Sequence, residues 1–398
     1  MWPTLQDARG GPLAGVRVLD LSRILAGPFS TQILADLGAD VIKVERPEVG
    51  DDSRHWGPPF APDGNAAYFY VCNRGRRAVT ADLRTEDGRA LVLALAADAH
   101  ILMENFLPGT MEKMGLDDAA LAAANPRLVH GVISGYGHSS SRGSWPALDF
   151  VIQAHTGILS VTGPDPTTPT KAGVPIADLS AGLYATIGVL AALRRAEESG
   201  VGGRIEVSLA EACGSLLANQ ASGHLIGGTT PRAMGNEHPN ITPYEVLRTQ
   251  DKAIAIAATS NLQVARLFAV IDAPELGDDP RFATNADRMA HRAELVAEIG
   301  SRFVRRPCAE WVVALNEAGV AAAPLNTVPE MLADPDTQAG LVTHVVDAAG
   351  NEVPQLRTPI RVDGVPLAPS SRPPGLGEHD AEVRAAADVR GQPEALVC

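Results

Sequence analysis

The chain has 398 residues, 45% of them hydrophobic and 4% aromatic, with a formal net charge of -14. That length exceeds a typical single compact domain, so two domains, or one domain with a large insertion, are expected. The acidic balance excludes nucleic acid as the main partner, although local basic clusters can still hold an anionic ligand.

Residues 16–21 (Val-Arg-Val-Leu-Asp-Leu) read as a first strand, and Arg23–Pro28 as a turn with Pro28 suited to the first position of a helix. The helix Phe29–Leu37 stops at Gly38, and Asp40–Val44 is a second strand. This βαβ unit predicts a parallel sheet. Glu45 stands where dinucleotide folds carry a ribose-binding acid, but Ala-Gly-Pro is not G-x-G-x-x-G, so a nicotinamide site is not expected. Pro47–Ala66 is a long loop. Asn73-Arg-Gly-Arg-Arg77 is a dense cationic cluster, either a solvated basic loop or an anion contact. A helix (Thr85–Ala97) and a buried strand (His100–Met103) lead into Glu104-Asn-Phe-Leu-Pro-Gly109, at a strand's carboxyl end where α/β proteins place ligands. Leu116–Ala124 is a helix and Leu128–Ile133 a strand. The Gly-rich loop Ser134–Gly143 is either flexible or a source of free N–H groups for an anion or oxyanion.

In Gly173–Leu193 a short apolar run ends at Asp178, and a helical pattern then sets Leu179, Leu183, Ile187 and Leu190 on one face. Ala181, Gly182, Ala185 and Gly188 lie beside that face, which predicts close approach of another backbone. Asp178 is thus expected at a helix N-terminus, where free N–H groups and the dipole keep a carboxylate ionised. It reads either as an N-cap or as a working carboxylate. Arg204–Ser208 is a further strand, followed by a helix through Glu211, and residues 223–243 are irregular. Tyr244–Thr249 and Lys252–Ala257 form a hairpin, with helices near 260–271, 288–306 and 308–318, which marks a smaller α+β domain. Residues 325–370 bring a helix and short strands, and the Pro-rich tail from Leu367 is extended.

The cysteines, at 72, 213, 308 and 398, show neither metal-ligand nor disulfide spacing, which suits a reducing compartment. Met1–Pro12 has no signal- or transit-peptide pattern, and no apolar run reads as membrane-spanning. A soluble, cytoplasmic protein is expected. There is no G-x-S-x-G elbow, Walker loop, H-E-x-x-H or paired cysteine site, and His155 reads as a packed or surface residue. A carboxylate at a helix start, Gly-rich loops and basic residues after strands suit an enzyme with a carboxylate nucleophile and a phosphate-bearing ligand.

Val18–Pro28, Leu34–Arg46, Asn73–Arg77, Glu104–Gly109, Asn125–Val129, Ile133–Gly137 and the Asp178 segment, in this order and spacing, resemble the family III CoA-transferases (the CaiB/BaiF family). The resemblance implies an α/β fold. A large Rossmann-like domain with a parallel sheet is built from residues 1–215 and a C-terminal segment, 325–398, that returns to it. A small α+β domain, 225–322, is inserted between them. It also implies an interlocked homodimer, an acyl-CoA donor, a small carboxylic acid acceptor, coenzyme A as substrate rather than prosthetic group, and no metal or redox cofactor. The nucleophile of the transferases matches Asp178, and the CoA contacts carry over onto Ile24, Leu25, Ala26, Arg46, Arg84, Asn105, Phe106 and Lys113. Members like formyl-CoA transferase have glutamine at the position of Leu25 and a CoA-binding lysine at that of Ser134, so those polar contacts differ here. The racemase branch of the family is the alternative. It carries a His–Asp pair where this chain has Leu148-Asp149, and His138 lies in a different loop. A CoA-binding protein without turnover would have no use for Asp178.

Overall fold

The computed structural model describes residues 2–3, 10–347, 350–367 and 371–388. The chain divides into a larger unit (1–158, 172–221 and 335–398) and a smaller one (159–171 and 222–334). In the larger unit six strands pair in parallel, β1 (Arg17–Asp20), β2 (Asp40–Glu45), β3 (Arg76–Thr80), β4 (Ile101–Glu104), β5 (Val129–Ser134) and β6 (Gly203–Ser208). Their order is 3-2-1-4-5-6. Every residue of β2, β4 and β5 is buried, as a parallel sheet covered on both faces requires.

The helices of this unit are α1 (Ala26–Asp36), α2 (Ala67–Tyr70), α3 (Glu86–Ala96), α4 (Thr110–Lys113), α5 (Asp118–Ala124), α6 (Asp149–His155), α8 (Ile176–Ser199) and α9 (Leu209–Ser215), while α7 (Ile158–Val161) and α10 (Ala218–Gly227) run from its residue ranges into those of the smaller one. One core layer joins the sheet to α1, α8 and α9; the other holds Leu91, Val92 and Leu95 of α3 and Leu121 of α5. The first helix begins at Ala26, two residues before Pro28 rather than at it; proline is tolerated there because first-turn amides have no intrahelical partner.

The long helix α8 departs from expectation twice. Its 24 residues are apolar enough by length and composition to cross a membrane, against the reading that no run is, but half of that window is buried inside the protein. Its buried face is also the small one. Ala177, Ala181, Ala185, Val189, Ala192 and Ala196 enter the core, while Leu183 and Ile187 stay 50% and 63% exposed. Small side chains win because they let other backbones approach. A Cβ at Gly182 would lie 2.7 Å from the Ala26 carbonyl oxygen of α1, and one at Gly131 of β5 would lie 2.8 Å from Val189. The Ser30 and Thr186 hydroxyls, 3.0 Å apart, bond α1 to α8 within this contact.

Residues 371–388 return to the edge strand β3. Gly75 N–H donates to the Ser371 carbonyl, His379 N–H to that of Ala78, and the N–H and hydroxyl of Thr80 both donate to the Asp380 carboxylate at 2.7 Å. A helix, Asp380–Asp388, follows, so the reading of the tail as extended fails there. Residues 368–370 and Cys398 lie outside the described residues.

The smaller unit holds an antiparallel sheet of β7 (Tyr244–Arg248), β8 (Ala253–Ala257) and β9 (Ala321–Pro324) over a core with Phe268, Phe303 and Trp311. The strand β9, Ala-Ala-Ala-Pro, was not legible because it lacks apolar–polar alternation.

Candidate active site

In a 3-2-1-4 sheet the chain leaves β1 and β4 in opposite senses, which opens a crevice at their carboxyl ends. The loops after β1, β4, β5 and β6 line it. Arg23, Ile24, Leu25, Ala26, Asn105, Phe106, Ser134, Leu148 and Asp178 surround a pocket of about 140 Å³. A neighbouring pocket of about 580 Å³ is lined by Arg23, Arg46, Arg84, Phe106, Thr110 and Met114. Five of the expected CoA contacts thus meet Asp178, and Arg46 and Arg84 sit in the second pocket. Exposed Lys113 lines neither, although its neighbours Thr110 and Met114 line the larger one.

The loop after β1 is held in an unusual shape. Ile24 has φ +71°, a left-handed conformation that costs a β-branched residue roughly 1–3 kcal/mol. The Asp51 carboxylate fixes it by accepting Ile24 N–H at 3.1 and 3.2 Å, and Asp51 is itself paired with buried Lys43 at 3.0 Å. Burial opposes both charges, yet each holds the other ionised: Asp51 and Asp20 keep Lys43 raised, while Lys43 and Ser53 keep Asp51 lowered. Asn105 clamps the same loop, accepting Arg23 N–H at 2.9 Å and donating to the Arg23 carbonyl at 2.8 Å. The Arg23 guanidinium lies over the Phe106 ring, 5.7 Å from its centroid. Leu25 and Ala26 are buried. Ser134 serves the fold, its hydroxyl accepting Gly137 N–H at 3.0 Å.

The cationic cluster is neither solvated nor an anion contact. Arg74 pairs with Asp36, Arg76 with Asp20 at 2.7 Å, and Arg77 with Asp40 at 2.6 Å and with Glu382. All three arginines are buried. The signal was in the partners: Asp20, Asp36 and Asp40 stand in apolar runs, where a carboxylate needs a cation or hydrogen bonds. Glu45 likewise pairs with Arg54 at 2.6 Å and is no ribose acid.

Asp178 is not an N-cap. The cap of α8 is Pro175, and Asp178 is the third helical residue. The N–H of Ala177 donates to Oδ1 of Asp149 at 2.7 Å. The helix end therefore does not hold Asp178 fully ionised. Burial, and then the Asp149 charge, push its carboxyl up to about 7. Tyr68, from α2, is pushed up to about 12 by burial and then by the Asp178 charge. Asp149 was singled out only as the second residue of Leu148-Asp149, where the racemase branch has its His–Asp pair, and Tyr68 not at all; nothing in their spacing links either to position 178.

His138 does not reach this pocket. Its Nδ1 lies 2.6 Å from Arg204, in a separate cleft with Glu104, Asp118 and His130. Glu104 is the second displaced carboxyl, pushed up to about 7 by burial against the opposing Phe106 N–H bond. His155 packs edge-on to Tyr136, with ring centroids 5.2 Å apart.

Known proteins resemble this chain in sequence and fold. The sequence model of CoA-transferase family III matches residues 13–380. The succinate–glutarate CoA-transferase of Agrobacterium fabrum is 41% identical over 383 residues, which cover 95% of this chain and 96% of that protein. The acetyl-CoA:oxalate CoA-transferase of Acetobacter aceti is 36% identical over 377 residues, covering 94% of this chain and 95% of that one. Among solved structures, a CaiB/BaiF family protein from Brucella suis superposes with a TM-score of 0.85 at 44% identity, covering 96% of this chain and 100% of that one.

Proposed function

The chain belongs to CoA-transferase family III and is a transferase; from that premise we propose that it moves CoA between dicarboxylic acids with Asp178 as the nucleophile. The observation that carries this reading is the Asp178 carboxyl opening on one pocket with Ile24–Ala26, Asn105 and Phe106, beside the larger pocket rimmed by Arg46 and Arg84. Succinate and glutarate name the substrates of the 41% identical relative, and oxalate an acceptor of another; these support the dicarboxylate class.

An Asp178 carboxylate oxygen attacks the thioester carbonyl of the donor, the carbon–sulfur bond breaks, and a mixed anhydride and CoA thiolate form. The thiolate then attacks the Asp178 carbonyl carbon, releasing the donor acid and leaving an aspartyl-CoA thioester. The acceptor carboxylate displaces CoA to form a second anhydride, and the thiolate takes the new acyl group and frees Asp178. Every intermediate is activated, so the thioester energy is kept. Each oxyanion needs hydrogen-bond donors, worth roughly 3–4 kcal/mol apiece. In the larger pocket Arg46 and Arg84 are the groups suited to CoA phosphates.

We infer also that two copies assemble as interlinked chains. Leu183, Tyr184 and Ile187 of α8 are exposed, and α10 buries none of its residues, which supports a second copy as their cover. Sedimentation at nanomolar concentration should find a dimer that dilution does not dissociate; a monomer appearing there would overturn the linkage.

Asp178→Ala should abolish transfer while leaving the fold intact. Hydroxylamine added to wild-type protein and acyl-CoA should mark Asp178, read by peptide mass. Deuterium entering the acyl α-carbon with no aspartyl adduct would replace transfer by racemisation.

A further inference from the structure

We propose that Asp149, in the first turn of α6, is the positioning residue of the nucleophile: its carboxylate takes the α8 amide beside Asp178 and sets a like charge against it. This rests on the reading of Asp178 as the attacking group.

The hydrogen bonds form a grip. Asp149 Oδ1 accepts Ala177 N–H at 2.7 Å, and Oδ2 accepts from Gln153 Nε2 at 2.6 Å. Gln153, fully buried, turns its Oε1 to Ala172 N–H at 2.9 Å. One carboxylate and one carboxamide, a helical turn apart on α6, thus hold both ends of segment 172–177, which delivers Asp178 to the pocket. The neighbouring Ile176 amide is directed at the Val174 carbonyl at 2.8 Å. The amides of Ala177, Ile176 and Leu179 are thus directed at Asp149, Val174 and Pro175 rather than at the Asp178 carboxylate.

The charges around the pair reinforce the effect. From α2 comes Tyr68, whose phenol both carboxylates raise; from α9 comes Cys213, raised by burial and, more weakly, by Asp149. Arg23 shares the pocket but faces Asp52, at 3.5 Å, and the Phe106 ring. What acts on Asp178 is burial and then Asp149, with no cation to offset them among the described residues. A carboxylate so placed is more basic and hence a better nucleophile. Acylation of Asp178 abolishes its charge and relieves the repulsion, so the grip favours the covalent intermediates over the resting anion.

Asp149→Asn removes the charge and keeps an oxygen for Ala177, but sets an amide donor against Gln153 Nε2. Asp149→Asn combined with Gln153→Glu restores that pairing and moves the charge one turn along α6. The pH profile of kcat/KM reads the nucleophile in the free enzyme. The wild-type acid limb should lie near pH 7 and fall by about one unit in both variants, with slower turnover at pH 8, while Asp149→Glu should keep the limb in place. An unmoved limb in the folded double variant, or a wild-type limb below pH 5, would overturn the proposal. Failure to trap Asp178 in the wild type would instead overturn the nucleophile assignment beneath it.

Discussion

Two sets of arginines that look alike in the sequence have opposite fates. Arg74, Arg76 and Arg77 are sealed in the larger unit against Asp36, Asp20 and Asp40. Arg46 and Arg84, whose side chains are 46% and 82% exposed, form ion pairs among the described residues with Asp52 and Asp82 in their own loops. In the first set each pair is buried in a low-dielectric interior and tied in by further hydrogen bonds, Asp20 to Thr31, Asp36 to Thr358 and Asp40 to Trp2, so removing one partner leaves a charge that water cannot reach. In the second the pairs are worth little, so a phosphate can take the carboxylate's place. A basic run therefore says nothing of a ligand until the chain's own buried carboxylates are assigned.

The contrast breaks most visibly at Arg76. Arg76→Ala removes the ion-pair partner of buried Asp20, leaving it the Ser22 and Thr31 hydrogen bonds, and should cost about 3–5 kcal/mol in urea unfolding; a loss under 1 kcal/mol would mean that the inner pairs are as dispensable as the outer ones. Glu104 sharpens the same point, being a buried carboxyl whose neighbours do not hold it ionised. Burial pushes its carboxyl in the fold up to about 7, against the ordinary 4.5. The folded state thus binds the proton more tightly. The stability this gives is complete below about 4.5 and is lost as pH rises through 7. Glu104→Gln should remove that slope and raise stability at pH 8 by about 1–3 kcal/mol. An unchanged pH dependence would show Glu104 to be ionised and compensated in the fold. Arg84→Ala is the smallest change to the fold: the urea midpoint should stay where it is, while Kd for CoA by calorimetry rises roughly tenfold. A destabilised protein with unchanged affinity would reverse the assignment of the two sets.

The βαβ alternation of the first 210 residues was legible because strand and helix periods differ and Gly and Pro punctuate them. The loop Glu104–Gly109 was placed at a strand's carboxyl end from the pattern alone, whereas Ile24–Ala26, Asn105 and Phe106 came only from the family resemblance, and the structure sets them around one pocket with Asp178. The burial of the cationic cluster was not legible, since it depends on which strand β3 lies beside: the Arg77–Asp40 pair spans β2 and β3. The face of α8 was misread for a related reason. Leucine outranks alanine in hydrophobicity, but only small residues let α8 approach α1 as closely as Gly182 and Ala26 do. Asp149 and Asp178 lie 29 positions apart, and their pairing exists only once 172–177 folds back on α6.

The bonds between β3 and residues 371–388 carry a consequence for how the protein is made. Thr80 and Asp380 are separated by 300 residues, so at ordinary translation rates roughly 15–60 s pass between the synthesis of an edge strand and that of the segment that covers it. Throughout that interval the outer strand offers an unprotected edge to any neighbouring chain. Slower elongation across the intervening 300 residues lengthens the time for which that edge is open to strand pairing.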